Sequence, residues 1–175
     1  MKRISDFDKI EVGSRVEFPK AGGYIGVIMA AKDVPNREYL ELLVDIADGE
    51  YKNFYRSWYD NTGTWLLRGY CSYKSTALKP FKGFTKSVEE SNKGYVWDFD
   101  ESTLVGKKVG IILREEQYEK ADGTIGDSLK IYGWRNVDVI HKGNFKVPEK
   151  LVIEPKPKTT TTKAVDLSGL NDIQF

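Results

Sequence analysis

Glu38-Tyr39-Leu40-Glu41-Leu42-Leu43-Val44-Asp45-Ile46-Ala47-Asp48-Gly49 is the stretch on which the fold turns. Leu40, Leu42, Val44 and Ile46 alternate with Tyr39, Glu41, Leu43 and Asp45, the two-residue period of a strand with one buried face. Asp48-Gly49 follows at once, and this dipeptide closes two-residue hairpins because both of its positions tolerate positive φ. The stretch therefore predicts a strand over Glu38 to Ala47, a tight turn, and a further strand over Tyr51 to Tyr59. Pairing across that turn sets Asp45 opposite Lys52, Leu43 opposite Phe54, Glu41 opposite Arg56 and Tyr39 opposite Trp58, all favourable cross-strand neighbours on one face. The other face, with Leu40, Leu42, Val44 and Ile46 opposite Tyr51, Asn53, Tyr55 and Ser57, reads as interior.

Upstream of this hairpin, Gly22-Gly23 opens a first strand over Tyr24 to Ala31, and Pro35-Asn36 turns the chain. Downstream, Asp60 to Ser75 reads as a long loop. Pro80 suits a first helical turn. Phe81, Phe84 and Val88 then fall at helical spacing, and Asn92 to Gly94 ends the helix. Lys107 to Arg114 predicts a fourth strand with Val109, Ile111 and Leu113 inward. A turn at Ala121-Asp122-Gly123 leads to a fifth, over Ser128 to Ile140, with Lys130, Tyr132 and Trp134 on the face opposite Leu129 and Ile131. Three strands, a helix and two more strands is the chain order of an OB-type barrel, mainly β and five-stranded. Residues 1–150 are expected to form this nucleic-acid-binding domain.

After Pro148 the composition changes. Pro155-Lys156-Pro157-Lys158 and Thr159 to Thr162 hold too few apolar side chains to fold, so residues 151–175 read as a flexible linker and a terminal tip.

Net charge is only +1, but its distribution is uneven. Residues 1–50 hold 7 Lys/Arg against 10 Asp/Glu, whereas residues 51–93 hold 8 against 3. The basic block also carries ten aromatic residues, from Tyr51 to Phe84. Cations that meet phosphates, interleaved with rings that stack on any base, are the composition of a single-strand groove. OB barrels bind oligonucleotides on the second and third strands, so Tyr39, Lys52, Phe54, Arg56 and Trp58 are the expected contacts, joined by Lys130, Tyr132 and Trp134. An ordinary salt-bridged surface is the competing reading of the same charges, with Glu41 and Asp45 neutralising Arg56 and Lys52.

Other chemistry finds little support. His141 is the only histidine and Cys71 the only cysteine, so no nucleophile–base pair, disulfide framework or zinc cluster is expected. No phosphate loop is present, Asp122 to Asp127 lacks calcium-loop spacing, and the acidic-aromatic run Tyr95 to Asp100 reads as a loop that packs Trp97 and Phe99. No cofactor is expected. No apolar run reaches the length of a membrane span, and the first residues lack a signal-peptide core, so an intracellular location is expected.

The last residues, Asn171-Asp172-Ile173-Gln174-Phe175, resemble the tip of bacterial single-stranded DNA-binding proteins, an acidic run that ends in Ile-Pro-Phe. That resemblance implies that Phe175 fills an apolar pocket on a partner, supported by Ile173 and Asp172. Asn171 stands where the family has an acid, and Gln174 where it has proline, which implies weaker docking or a different partner. Further strings are similar to a family of small proteins of phages and mobile elements from Gram-positive bacteria, some of them single-strand-binding-like. These are Asp45 to Lys52, Phe81-Lys82-Gly83-Phe84, Val88 to Asn92 with Gly94 to Asp98, and Phe145 to Pro148. The resemblance implies a replication or recombination setting and no activity beyond that. With the basic-aromatic block and the tip, the expected partners are single-stranded DNA and replication or recombination proteins in a bacterial cytoplasm, and a homo-oligomer is compatible with this reading. RNA binding, or an adaptor role in which the aromatic surface meets protein, are the alternatives.

Overall fold

In the computed structural model, which describes residues 16–153, five antiparallel strands form one sheet in the order β3-β2-β1-β4-β5. The strands are β1 (Gly22–Val34), β2 (Tyr39–Ile46), β3 (Arg68–Ser72), β4 (Lys108–Glu119) and β5 (Ile125–Arg135). Two helices lie between strands, α1 (Phe54–Thr62) after β2 and α2 (Leu78–Ser91) after β3, and α3 (Val137–His141) follows β5. The mainly β class, the five strands and the helix between the third and fourth are as expected. Hydrogen bonds do not close the sheet, and β3 and β5 remain its two edges. The linker and the tip, with Asp172, Ile173 and Phe175, lie outside the described residues. Among those described, no helix is long and apolar enough to cross a membrane.

The core follows from alternation. Leu40, Leu42, Val44 and Ile46 of β2 are buried with Ile28 of β1 and Val109, Ile111 and Leu113 of β4. Phe84 and Val88 of α2 close the cluster from below, and Phe81 packs against it partly buried. Trp65, Leu67 and Cys71 complete it from the β3 side. Apolar burial of this kind is worth roughly 1.5–3 kcal/mol per large side chain.

The expected third strand over Tyr51 to Tyr59 is not a strand. The chain turns after β2 and enters α1, so Asp45–Lys52, Leu43–Phe54, Glu41–Arg56 and Tyr39–Trp58 do not pair across a hairpin. Asp45 explains why. Its carboxylate is 1% exposed and accepts from the backbone N–H groups of Ile46, Tyr55 and Arg56 at 2.8, 3.0 and 3.2 Å. The first turn of a helix leaves its N–H groups without intrahelical acceptors, and a carboxylate there satisfies them and meets the positive end of the helix dipole. Phe54 and Trp58, one turn apart on α1, both pack on the Phe18 ring at centroid distances of 5.2 and 4.9 Å.

The true third strand lies inside the expected loop. Residues 68–72 pair with β2 in the register Leu43↔Arg68, Glu41↔Tyr70, Tyr39↔Ser72. The fifth strand is also displaced, since it begins at Ile125 and gives way to α3. A bulge at Tyr132, where partners pass from Ile112↔Gly133 to Leu113↔Ile131, reverses side-chain parity along β5. Lys130 and Tyr132 stay outside, but Trp134 turns inward with Leu129 and Ile131. Its ring lies 4.9 Å from that of Phe84 and so close to Gly69 that a Cβ there would fall 2.6 Å from it. Only glycine admits that approach. The β3 and β5 edges thus meet through a side chain instead of a ladder.

Candidate nucleic-acid interface

The outer faces of the sheet are not equally free. Over β1 and β4, α3 and the segment after it lie directly on the strands, with Ile140 against Gly110 and the Phe145 ring against Gly23. On β2 and β3 the outward side chains are less covered: Tyr39, Glu41 and Leu43 are half-buried, and Arg68 and Tyr70 are exposed.

β3 supplies the principal row. Trp65, Leu67, Gly69 and Cys71 point inward, so Leu66, Arg68, Tyr70 and Ser72 form the outer line. The rise of a strand gives that line a length of about 20 Å. Tyr70 is 60% exposed and stands edge-on to Tyr39 of β2, ring centroids 5.5 Å apart at 84°. Arg68 is paired with Glu41, whose register partners Tyr70 on β3 and Lys32 on β1 place an exposed lysine in the same band. Arg37, exposed in the β1–β2 connection, stands at the end of the row next to Tyr39.

At its other end the row enters a cleft of about 630 Å³. Phe18, Pro19 and Tyr55 line it from the α1 side, Leu66 from β3, and Tyr118, Leu129 and Lys130 from the β4–β5 arm. The arm extends beyond β1 and is braced on its open edge by Leu151, which exchanges backbone hydrogen bonds with Glu115 and Gln117 at 2.9 and 2.8 Å. Glu115 and Asp127 also line the cleft, but Lys150 lies 3.9 and 2.8 Å from their carboxylates and offsets their charge. Arg114 pairs with Glu116 and sits 4.7 Å over the Tyr132 ring. Lys130 forms no ion pair among the described residues.

The expected contacts divide accordingly. Tyr39 lies on the open face, Lys130 lines the cleft, and Tyr132 is exposed on the arm. Lys52 is exposed in the turn before α1, and Arg56 is exposed on α1 with its Nε 3.1 Å from Asp60. Phe54 and Trp58 are half-buried against Phe18, and Trp134 belongs to the core. Sequence reasoning missed Leu66, Arg68, Tyr70 and Tyr118. The signal for three of them was partial, because Trp65, Leu67 and Cys71 alternate with Leu66, Arg68, Tyr70 and Ser72, but Gly69 interrupts the inner apolar line.

The arrangement offers an extended, half-aromatic track with scattered cations. Among the described residues no group of His, Cys, Asp and Glu is placed to hold a metal ion. Cys71 is buried, and burial raises its thiol well above the ordinary value, which disfavours the thiolate. No protein-family model matches the chain, and no curated protein matches it.

Proposed function

We propose that this protein binds single-stranded DNA, without chemistry on it, along the outer row of β3 and into the cleft beneath the β4–β5 arm. The observation that carries the reading is the continuous line Leu66–Arg68–Tyr70, flanked by Tyr39 and ending beside Lys130. Successive bases stack on exposed rings with little regard to sequence, while cations follow the backbone. The strand order adds support: β3-β2-β1-β4-β5 is the order an OB barrel would have if opened between its third and fifth strands, and OB barrels use this face together with the loops of the β1–β2 and β4–β5 connections. Here those connections carry Arg37 and the arm. On this reading the domain protects strands in phage or mobile-element replication or recombination in a bacterial cytoplasm, and the tip at Asp172, Ile173 and Phe175 recruits partner proteins.

The test is a titration of fluorescently labelled poly-dT against a duplex of equal length. Tight binding to the single strand and weak binding to the duplex is the expected result. Tyr70→Ala should weaken binding by about 1–3 kcal/mol, the range for a ring that stacks on a base. No affinity for poly-dT at moderate salt, or equal affinity for duplex, would overturn the assignment.

A further inference from the structure

At the far end of the sheet from the β4–β5 arm, a second cleft of about 400 Å³ opens between the end of β1, the start of α2 and the loop that follows it. Its lining is Tyr73, Phe81, Trp97 and Phe99, the apolar Leu40 and Leu78, and two carboxylates, Asp33 and Glu101. No basic residue lines it. The rings form a connected set, with centroid distances of 5.8 Å for Tyr73–Phe81, 6.4 Å for Phe81–Trp97 and 5.9 Å for Trp97–Phe99. Tyr73 donates to Asp33 at 2.8 Å, and that bond, with the surrounding negative charge of Asp33, Glu38 and Glu101, pushes its hydroxyl up to about 12.

Two features show that packing alone does not account for this place. Phe99 is 83% exposed and holds φ at +67°, a left-handed conformation that a bulky side chain rarely adopts. The loop reading that packed Phe99 away is therefore corrected: Trp97 is half-buried and its neighbour ring is displayed. Trp97 Nε1 is closed off from solvent yet has no acceptor, the one such side-chain atom among the described residues. Strained display of a ring and an unmet donor gather at functional surfaces.

We infer that this cleft captures an arginine side chain on an extended segment of a partner protein. Aromatic faces attract cations, and a guanidinium is planar, weakly hydrated and able to stack on Trp and Phe while it donates to carboxylates. Asp33 and Glu101 supply those carboxylates. Phosphates are repelled by the same two acids, so the cleft is separate from the proposed DNA track and does not depend on it.

The experiment is a ¹H–¹⁵N titration of the full chain that follows the Trp97 indole signal. The probes are an acetylated Gly-Arg-Gly-Pro peptide amide, its lysine and citrulline counterparts, and a peptide of residues 154–163 of this chain. The arginine peptide should shift the Trp97 signal in a salt-sensitive way, and the citrulline peptide should bind at least tenfold more weakly. Glu101→Gln should reduce arginine-peptide affinity about three- to tenfold. Phe99→Gly should raise the melting temperature, because it relieves the positive φ, and still abolish capture. Poly-dT affinity should not change in either variant. Equal binding of the citrulline peptide, no shift at Trp97, competition by poly-dT, or full capture by Phe99→Gly would each overturn the inference. Binding of the 154–163 peptide alone would overturn it too, by making a second copy of the chain the occupant.

Discussion

Asp45 has the most to do of any single side chain, since three N–H groups at the β2–α1 junction depend on its two oxygens. Asp45→Ala would leave them buried and unmet, and each such group costs about 1–3 kcal/mol. A loss of about 2–4 kcal/mol in denaturant unfolding is expected, with Asp45→Asn intermediate because one acceptor oxygen survives. A loss below about 0.5 kcal/mol, the range of neutral surface changes, would mean that water reaches the junction. Tyr55 and Cys71 carry a pH consequence. Burial raises both above their ordinary values of 10.0 and 9.0. Each therefore contributes stability that is fully present below its ordinary value and is lost as pH rises beyond it, because only the unfolded chain ionises freely. The melting temperature should hold to about pH 8.5 and fall above about pH 9–10. Tyr55→Phe should reduce that alkaline loss.

Helix α1 shows where the sequence was legible and where it was misread. Tyr51, Phe54, Tyr55, Trp58 and Tyr59 stand at i, i+3, i+4, i+7 and i+8, a helical period, yet their aromatic character and the preceding Asp48-Gly49 both argue for a strand. Tertiary context decided: the buried carboxylate of Asp45 ends the strand and begins the helix. β2, α2 and the inner line of β4 were readable, because their periods are unbroken and their inward apolar positions are buried, Phe81 partly so. β3 was concealed by Gly69, whose missing side chain weakens a strand signal until the Trp134 ring that fills the space is known. The Tyr132 bulge was invisible, since one extra residue inverts parity without any mark in the pattern. Of the expected contacts, Tyr39 lies on the open face, Lys130 lines the cleft and Tyr132 is exposed on the arm, whereas the β3 row was not foreseen. Gly69→Ala tests the seam between the edges. A methyl group 2.6 Å from the Trp134 ring forces a shift and should cost about 1–3 kcal/mol. Trp134→Ala combined with it should recover part of that strain, and strictly additive losses would deny the contact.

Taken together, the described residues present a basic-aromatic track and, at the end of the sheet away from the β4–β5 arm, an acidic-aromatic cleft. Salt separates their contributions. For single strands the slope of log affinity against log salt is about −0.7 per phosphate neutralised, so the few cations along the track imply a shallow slope of roughly −2 to −3. Arg68→Ala and Lys130→Ala should each flatten it by about one contact. Unchanged slopes in both would place the strand elsewhere on the surface. A slope far steeper than this would bring in the lysines of α2, where Lys79, Lys82 and Lys86 are exposed.

The seam has a last consequence, which concerns storage and handling. Since β3 and β5 meet through Trp134, the backbone groups along both edges are not spent on each other, and an unspent edge is a template for another chain. Trp134 acts as a stopper: while its ring sits on Gly69, the two edges shield one another from strangers. Warming that loosens the ring without melting the core should then announce itself as slow turbidity in concentrated samples, at temperatures where circular dichroism still reports an intact sheet.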